Sequence, residues 1–127
     1  MSKEVIKTSN APAPIGPYNQ AIRTGNLLFI SGQVAFDPST NELVMGDVTQ
    51  ETHRVMKNLQ AILEAAGLSF THVVKTTIFL SDMSLFTTVN EAYGSYFASD
   101  YPARETVAVK GLPRGVNVEI SMIASGD

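Results

Sequence analysis

The sequence predicts an α+β fold in which a six-stranded mixed sheet carries two helices on one face. Six segments have the alternation or β-branched composition of strands, and two longer segments have apolar residues three and four positions apart, as amphipathic helices do. The predicted order is β-β-β-α-β-α-β-β, and connections that run through helices imply strands of both orientations. We expect one domain over residues 1–127, because no repeat, low-complexity tract or linker interrupts the chain.

The first three strands are predicted at residues 5–8, 18–24 and 27–36. Residues 11–17 join the first two as a stiff extended loop, because each proline fixes φ and disfavours helix at the residue before it. Gly25 and Asn26 form the turn of a hairpin between the second strand and the third. Gly32 lies inside the third strand, where a glycine marks either a bulge or the close approach of a ligand or another backbone.

Two helices are predicted further along the chain. Asp47 is a good N-cap for the first, Gln50 stands where a capping-box-like partner belongs, and Gly67 is a natural stop. A strand at residues 73–80 precedes the second helix, which begins near Ser84. The residues expected on the buried helix faces are Val48, Val55, Leu59, Ile62, Leu63 and Ala66, then Phe86, Val89, Tyr93 and Phe97.

The last third of the chain predicts two strands, residues 102–109 and 117–123. A tight connection at 111–115 suggests that they pair antiparallel. Their alternation would give one apolar face made of Val107, Val109, Val118, Ile120 and Met122. The opposite face would then carry together Arg104, Thr106, Glu119 and Ser121.

An arginine and a glutamate on one sheet surface suit a site that holds a small carboxylate and activates a water, because a guanidinium fork matches a planar carboxylate. The alternative for Arg104 is a surface or interface salt bridge, and with Glu119 it could form only an ion pair. Asn90 lies on the apolar stripe of the second helix, and we expect its side chain to hold a loop backbone in place. Tyr18 either packs in the core or places its hydroxyl at a site.

Composition excludes several classes of function. The net charge of -3, the pI near 5.3 and the scattered lysines and arginines argue against nucleic acid or an anionic membrane as partner. Without cysteine there is no disulfide or thiolate, and His53 and His72 have neither metal-ligand spacing nor a nucleophile partner. No signal peptide and no apolar run of about 20 residues is present, so we expect a cytoplasmic protein.

The predicted architecture leaves one sheet face bare. Such a semi-apolar surface is difficult for a monomer to solvate. Burying it against copies of the same chain favours a closed homo-oligomer.

Motifs along the whole chain resemble the RidA (reactive intermediate deaminase A, or YjgF) family. They occur in the family's order at residues 11–18, 31–33, 65–68, 74–79, 88–90, 102–104, 118–120 and 123–124. The resemblance implies a chorismate-mutase-like fold, a homotrimer with clefts between subunits, and no cofactor or metal. It also implies hydrolysis of 2-imino acids, 2-iminopropanoate and 2-iminobutanoate, to 2-keto acids and ammonia, which clears by-products of pyridoxal-phosphate dehydratases.

The resemblance also implies roles for particular residues. Arg104 would grip the substrate carboxylate, and Glu119 would orient or deprotonate the attacking water, its ionised form favoured by the arginine. The residues lining the cleft would be Tyr18, which is also a catalytic candidate, Ser31, Gly32, Phe86, Asn90 and Thr106.

The chain departs from the deaminase pattern at three positions. Thr106 stands where a cysteine is usual, Glu105 where a serine is usual, and Ser121 where a second acidic residue is common. Because Arg104 and Glu119 are retained, we expect these departures to change which substrate is preferred rather than the reaction. The alternative function is a trimer that binds 2-keto acids without turnover, although binding alone does not require Glu119. A ribonuclease is a third interpretation, which the acidic composition disfavours.

Overall fold

The computed structural model describes residues 2–126, and a six-stranded mixed sheet dominates it. The strand order is β1-β2-β3-β8-β6-β7, with β6 and β7 parallel and every other neighbouring pair antiparallel. A separate two-stranded sheet pairs β4 with β5. The strands are β1 (Glu4–Ile6), β2 (Ala21–Thr24), β3 (Leu27–Gln33), β4 (Phe36–Asp37), β5 (Glu42–Leu43), β6 (Val73–Leu80), β7 (Ala103–Ala108) and β8 (Val118–Ser125).

Both predicted helices are present, as α1 (Val48–Ala65) and α2 (Phe86–Gly94). The Asp47 carboxylate caps α1 by accepting a hydrogen bond of 2.8 Å from the Gln50 backbone N–H. Gly67 follows the helix end with φ of +77°, the left-handed conformation that glycine adopts at low cost. No helix within residues 2–126 is both long and apolar enough to cross a membrane.

The helices cover one face of the sheet, and the core lies between them and it. Burial alternates along β8, where Val118 and Ile120 are fully buried while Glu119 between them is not. Of the face predicted for α1, Leu59 and Ile62 are also fully buried. Each such leucine or isoleucine contributes about 1.5–3 kcal/mol through loss of apolar contact with water. The other sheet face is uncovered, as the sequence predicts, and it exposes apolar side chains, among them Phe29 at 42% and, contrary to its predicted core position, Val107 at 46%.

The predicted antiparallel pairing of the last two strands is wrong. In the structure β8 lies between β3 and β6, and β7 pairs in parallel with the far side of β6. The two eight-residue strands β6 and β8 occupy the centre, where both edges of each are hydrogen-bonded. The shorter β7 is the edge strand beside β6. It runs parallel to β6 because the chain returns through α2, and such a helical crossover joins neighbouring parallel strands.

This topology also overturns the predicted grouping of side chains. Arg104 lies opposite Thr76 of β6, a fully buried residue, and therefore faces the helices. Glu119 lies opposite Phe79 and faces away from them. Arg104 and Thr106 are thus on the helix-covered face, whereas Glu119 and Ser121 are on the uncovered one. Val107, predicted for the core, shares the uncovered face.

Candidate active site

Arg104 is held by three residues of α2. Its Nη1 donates a 2.6 Å hydrogen bond to Oδ1 of Asn90, and its guanidinium lies 5.3 Å from the ring centroid of Tyr93 and 5.6 Å from that of Phe86. Because these residues are three and four positions apart, they share one side of the helix. We call Phe86, Asn90, Tyr93 and Arg104 the arginine side of the site.

Asn90 therefore supports a charged side chain rather than a loop. The sequence resemblance grouped Phe86, Asn90 and Arg104, and the structure brings these three together. It adds Tyr93, which the sequence pattern assigned only to the core. The signal for Tyr93 was its position three residues after Asn90 on the same helical stripe.

Tyr93 links the arginine side to the core. Its hydroxyl donates a 2.9 Å hydrogen bond to Oγ1 of Thr76, and both residues are buried. Burial raises the pKa of the Tyr93 phenol, so the ring stays neutral at physiological pH. The Arg104 guanidinium consequently packs against an uncharged aromatic ring that is itself anchored in the core.

The arginine side opens into a groove of about 580 Å³. Its lining residues are Asn90, Glu91, Tyr93, Gly94, Tyr101, Pro102 and Arg104. Thr106 follows Arg104 by two residues on the same strand face, and its buried Oγ1 has no hydrogen-bond partner within residues 2–126. Such an unpaired buried hydroxyl is costly, and it lies beside the groove rather than in its lining.

Glu119 forms the centre of a second group on the uncovered face. A Cβ placed on Gly32 would lie 2.3 Å from the Glu119 carboxylate, so only glycine leaves room for this side chain. The β3–β8 register also shifts between Ile30 and Gln33. Gly32 therefore combines the two features that the sequence left open, a strand irregularity and a close approach, although the approaching group is a side chain.

A cavity of about 280 Å³ adjoins Glu119. Its lining residues are Pro12, Ala13, Ile15, Tyr18, Gln20, Gly32, Gln33, Val34, Phe36, Pro113, Arg114 and Glu119. The Tyr18 hydroxyl accepts a 3.4 Å hydrogen bond from the Ile15 backbone N–H. We call Tyr18, Gly32, Arg114 and Glu119 the glutamate side. Ser31 adjoins it in sequence, but its hydroxyl donates to the Asn19 carbonyl at 2.6 Å. Arg114 was missed by sequence reasoning.

The two sides do not meet within one chain, since they occupy opposite faces of the sheet. Within one chain, therefore, Arg104 does not favour the ionised form of Glu119, and its effect across a subunit interface stays a prediction. Burial instead raises the pKa of the Glu119 carboxyl, because a low-dielectric environment disfavours its charge.

The two histidines form structural contacts. His53 Nδ1 lies 2.8 Å from the Tyr96 hydroxyl, and His72 Nδ1 accepts a 3.1 Å hydrogen bond from the Ser69 backbone N–H. Among residues 2–126, no three carboxylate or histidine side chains cluster closely enough to hold a metal ion.

Comparison with known proteins identifies close relatives. The sequence model of the family described as Endoribonuclease L-PSP matches residues 8–125. A RutC family protein of Pyrococcus horikoshii is 53% identical over 96% of this chain and 97% of its own. The 2-iminobutanoate/2-iminopropanoate deaminase of Mus musculus is 52% identical over 96% of this chain and 90% of its own.

Solved structures have the same fold. The YjgF gene product of E. coli superposes with a TM-score of 0.93 at 42% identity, over 98% of this chain and 99% of that one. E. coli TdcF, solved with bound serine, gives a TM-score of 0.93 at 38% identity, with 98% and 99% covered. Since the family model spans nearly the whole sequence and relatives cover it at about half identity, this chain belongs to the RidA (YjgF) family.

Proposed function

We propose that the protein hydrolyses small 2-imino acids, 2-iminopropanoate and 2-iminobutanoate first among them, to 2-keto acids and ammonia. The observation that carries this proposal is the division of the site into two complementary halves. A preorganised guanidinium opens to solvent on one face, and a half-buried carboxylate adjoins a small cavity on the other. The deaminase relatives of mammals support the same reaction.

The proposal requires assembly, because neither half is sufficient alone. In a homotrimer whose subunits pack head to tail, the arginine side of one subunit would meet the glutamate side of the next. Exposed Phe29 and Val107 on the uncovered face supply apolar surface for such contacts. Three identical clefts would result, each built from two subunits.

Substrate binding falls to Arg104. Its fork of donors pairs with the planar carboxylate of the imino acid, while Asn90 and the two aromatic rings keep the guanidinium oriented. Thr106, whose Oγ1 is buried, would shape the wall of the site behind Arg104. A threonine is bulkier here than the usual cysteine, which narrows the cleft on the arginine side.

Chemistry falls to Glu119 and a water. The water oxygen bonds to C2 of the protonated imine as the C=N π electrons move to nitrogen, while Glu119 takes one water proton. Glu119 returns that proton to the nitrogen, the C–N bond breaks, and ammonia leaves with the bonding electrons. The hydroxyl then loses its proton to Glu119 or water as the C=O bond forms. Because the iminium carbon is already electrophilic, positioning of the water and proton transfer suffice, with no side-chain nucleophile or cofactor. Tyr18, Ser31 and Gly32 would complete the wall around C2.

A trimer that senses 2-keto acids without turnover is the second candidate. The arginine side favours it, because that side can bind a carboxylate without Glu119. A relative solved with bound serine also supports binding of small amino-acid-like ligands in this fold. RNA cleavage, which the family model's description suggests, has no support from the net charge of -3.

A coupled assay distinguishes these functions. Threonine dehydratase generates 2-iminobutanoate, and catalytic amounts of this protein should accelerate the release of 2-ketobutanoate and ammonia. Light scattering on the same sample should give three times the chain mass. Binding of 2-ketobutanoate by calorimetry without acceleration would instead establish the sensor, and a stable monomer at micromolar concentration would overturn the shared site.

A further inference from the structure

We propose that Arg114 is a specificity-determining residue that binds a second anionic group on the substrate, so that imino acids with a carboxylate side chain are also hydrolysed. This inference rests on the proposed function. It assigns Arg114 to the end of the cleft opposite Arg104, with Glu119 acting between them.

The backbone holds Arg114 in an unusual conformation. It lies in a 3₁₀ turn, Pro113–Gly115, between β7 and β8, and has φ of +62° and ψ of 14°. This left-handed region is uncommon for a residue with a Cβ and is found preferentially at functional positions. The turn is held by hydrogen bonds from Gly115 N to Leu112 O (3.1 Å) and from Val116 N to Pro113 O (3.3 Å).

The guanidinium of Arg114 is oriented but unpaired. It lies 5.6 Å from the ring centroid of Phe36, and both residues line the cavity beside Glu119. By contrast, Arg23 donates to two backbone carbonyls, Arg54 to Asn58, and Arg104 to Asn90. Within residues 2–126, Arg114 alone among the arginines has no hydrogen bond or ion pair.

Among residues 2–126, Arg114 and Glu119 are the only charged residues that line this cavity, and they do not form an ion pair with each other. The raised pKa of Glu119 has burial as its cause, with no lowering by a neighbouring cation. The positive charge of Arg114 is therefore not neutralised by Glu119. An anion entering the cavity would find one partner there, amid mostly uncharged walls.

The reaction geometry determines which substrate group reaches Arg114. If Arg104 of one subunit holds the α-carboxylate and Glu119 of the next holds the water beside C2, the remaining substituent on C2 is the side chain. That side chain faces the 280 Å³ cavity. A methyl or ethyl group would leave the guanidinium unused, whereas a carboxymethyl group would pair with it.

The test compares a neutral imine with an acidic one in four proteins. Oxidation of alanine and of aspartate by amino-acid oxidases supplies 2-iminopropanoate and 2-iminosuccinate, and kcat/KM is measured for each. We expect Arg114→Met to lower the ratio of acidic to neutral kcat/KM about tenfold, mainly through KM, as for loss of one charge-assisted hydrogen bond. Arg114→Lys should retain part of the ratio. Lys110→Met, an exposed charge in the same loop, should leave it unchanged.

An unchanged ratio in Arg114→Met, or an equal loss on both imines, would overturn the proposal. Failure of the proposed function is separable, because it would appear as no acceleration of either imine by the wild-type protein. Calorimetry then decides the matter with stable ligands. Wild type should bind 2-ketoglutarate more tightly than 2-ketobutanoate and Arg114→Met should lose that preference; equal affinity in the wild type would refute the role of Arg114.

Discussion

The arginine side and the glutamate side of the site differ in how firmly the fold supports them. Arg104 is fixed by a hydrogen bond and two aromatic rings, one of which is itself bonded to buried Thr76. Glu119 has no hydrogen-bond partner within residues 2–126 and carries a raised pKa caused by burial. The comparison indicates a division of labour. The arginine side, which recognises the carboxylate, is preorganised within the chain. On the glutamate side, which transfers protons, burial leaves the ionised form of Glu119 poorly stabilised.

Glu119→Gln should have the largest effect on turnover. It keeps the shape of the side chain but removes the base, so kcat should fall by about 10²–10⁴-fold, the usual contribution of general base catalysis. Affinity for 2-ketobutanoate should remain, because the arginine side is intact. Glu64→Gln, an exposed position on α1, is the matched control. Wild-type kcat in Glu119→Gln would contradict water activation by this residue.

Arg104→Lys should have the second largest effect, and its loss should lie in KM rather than in kcat. A lysine keeps the charge but loses the fork and the stacking on Phe86 and Tyr93, so kcat/KM should fall about 10²-fold, chiefly through KM. Light scattering and thermal unfolding verify that assembly and fold persist. A fall confined to kcat would show that Arg104 does not bind the ground-state carboxylate, and the division of labour would fail.

Gly32→Ala tests the crowding on the glutamate side. The added methyl would displace the Glu119 carboxylate, from which an ideal Cβ is only 2.3 Å away. A displacement of about 1 Å at a catalytic group can cost up to about 10²-fold, and we expect a loss of about tenfold or more in kcat. Gly111→Ala is the control, since nothing lies within 4 Å of its added Cβ. Equal kcat in both variants would mean that Glu119 has freedom to move.

The smallest effect concerns pH. Glu119 must be ionised to act as a base, and burial raises its pKa, so activity should disappear on acidification at a higher pH than for an exposed glutamate of pKa about 4.3. The acid limb of log(kcat/KM) in buffers of constant ionic strength measures this. A limb at or below the ordinary value would mean that, in the assembled protein, a neighbouring cation outweighs burial.

Much of the fold followed from local patterns. The Asp47 cap, the end of α1 at Gly67 and the buried face containing Leu59 and Ile62 all depend on residues within a few turns of each other. Strand ends were less accurate. The second strand, expected at 18–24, begins at Ala21, because Gln20 is engaged by its side chain with the loop at Thr8 and Pro12.

The sequence by itself determined which residues form strands and helices, that one sheet face is bare, and that Arg104, Asn90, Gly32 and Glu119 are functional candidates by resemblance. Tertiary structure alone decided that β8 is inserted between β3 and β6, and hence that Arg104 and Glu119 lie on opposite faces. Alternation along a strand specifies which of its own residues share a face. Which faces of two strands coincide depends on their partners and register, and these arise from contacts between residues far apart in sequence.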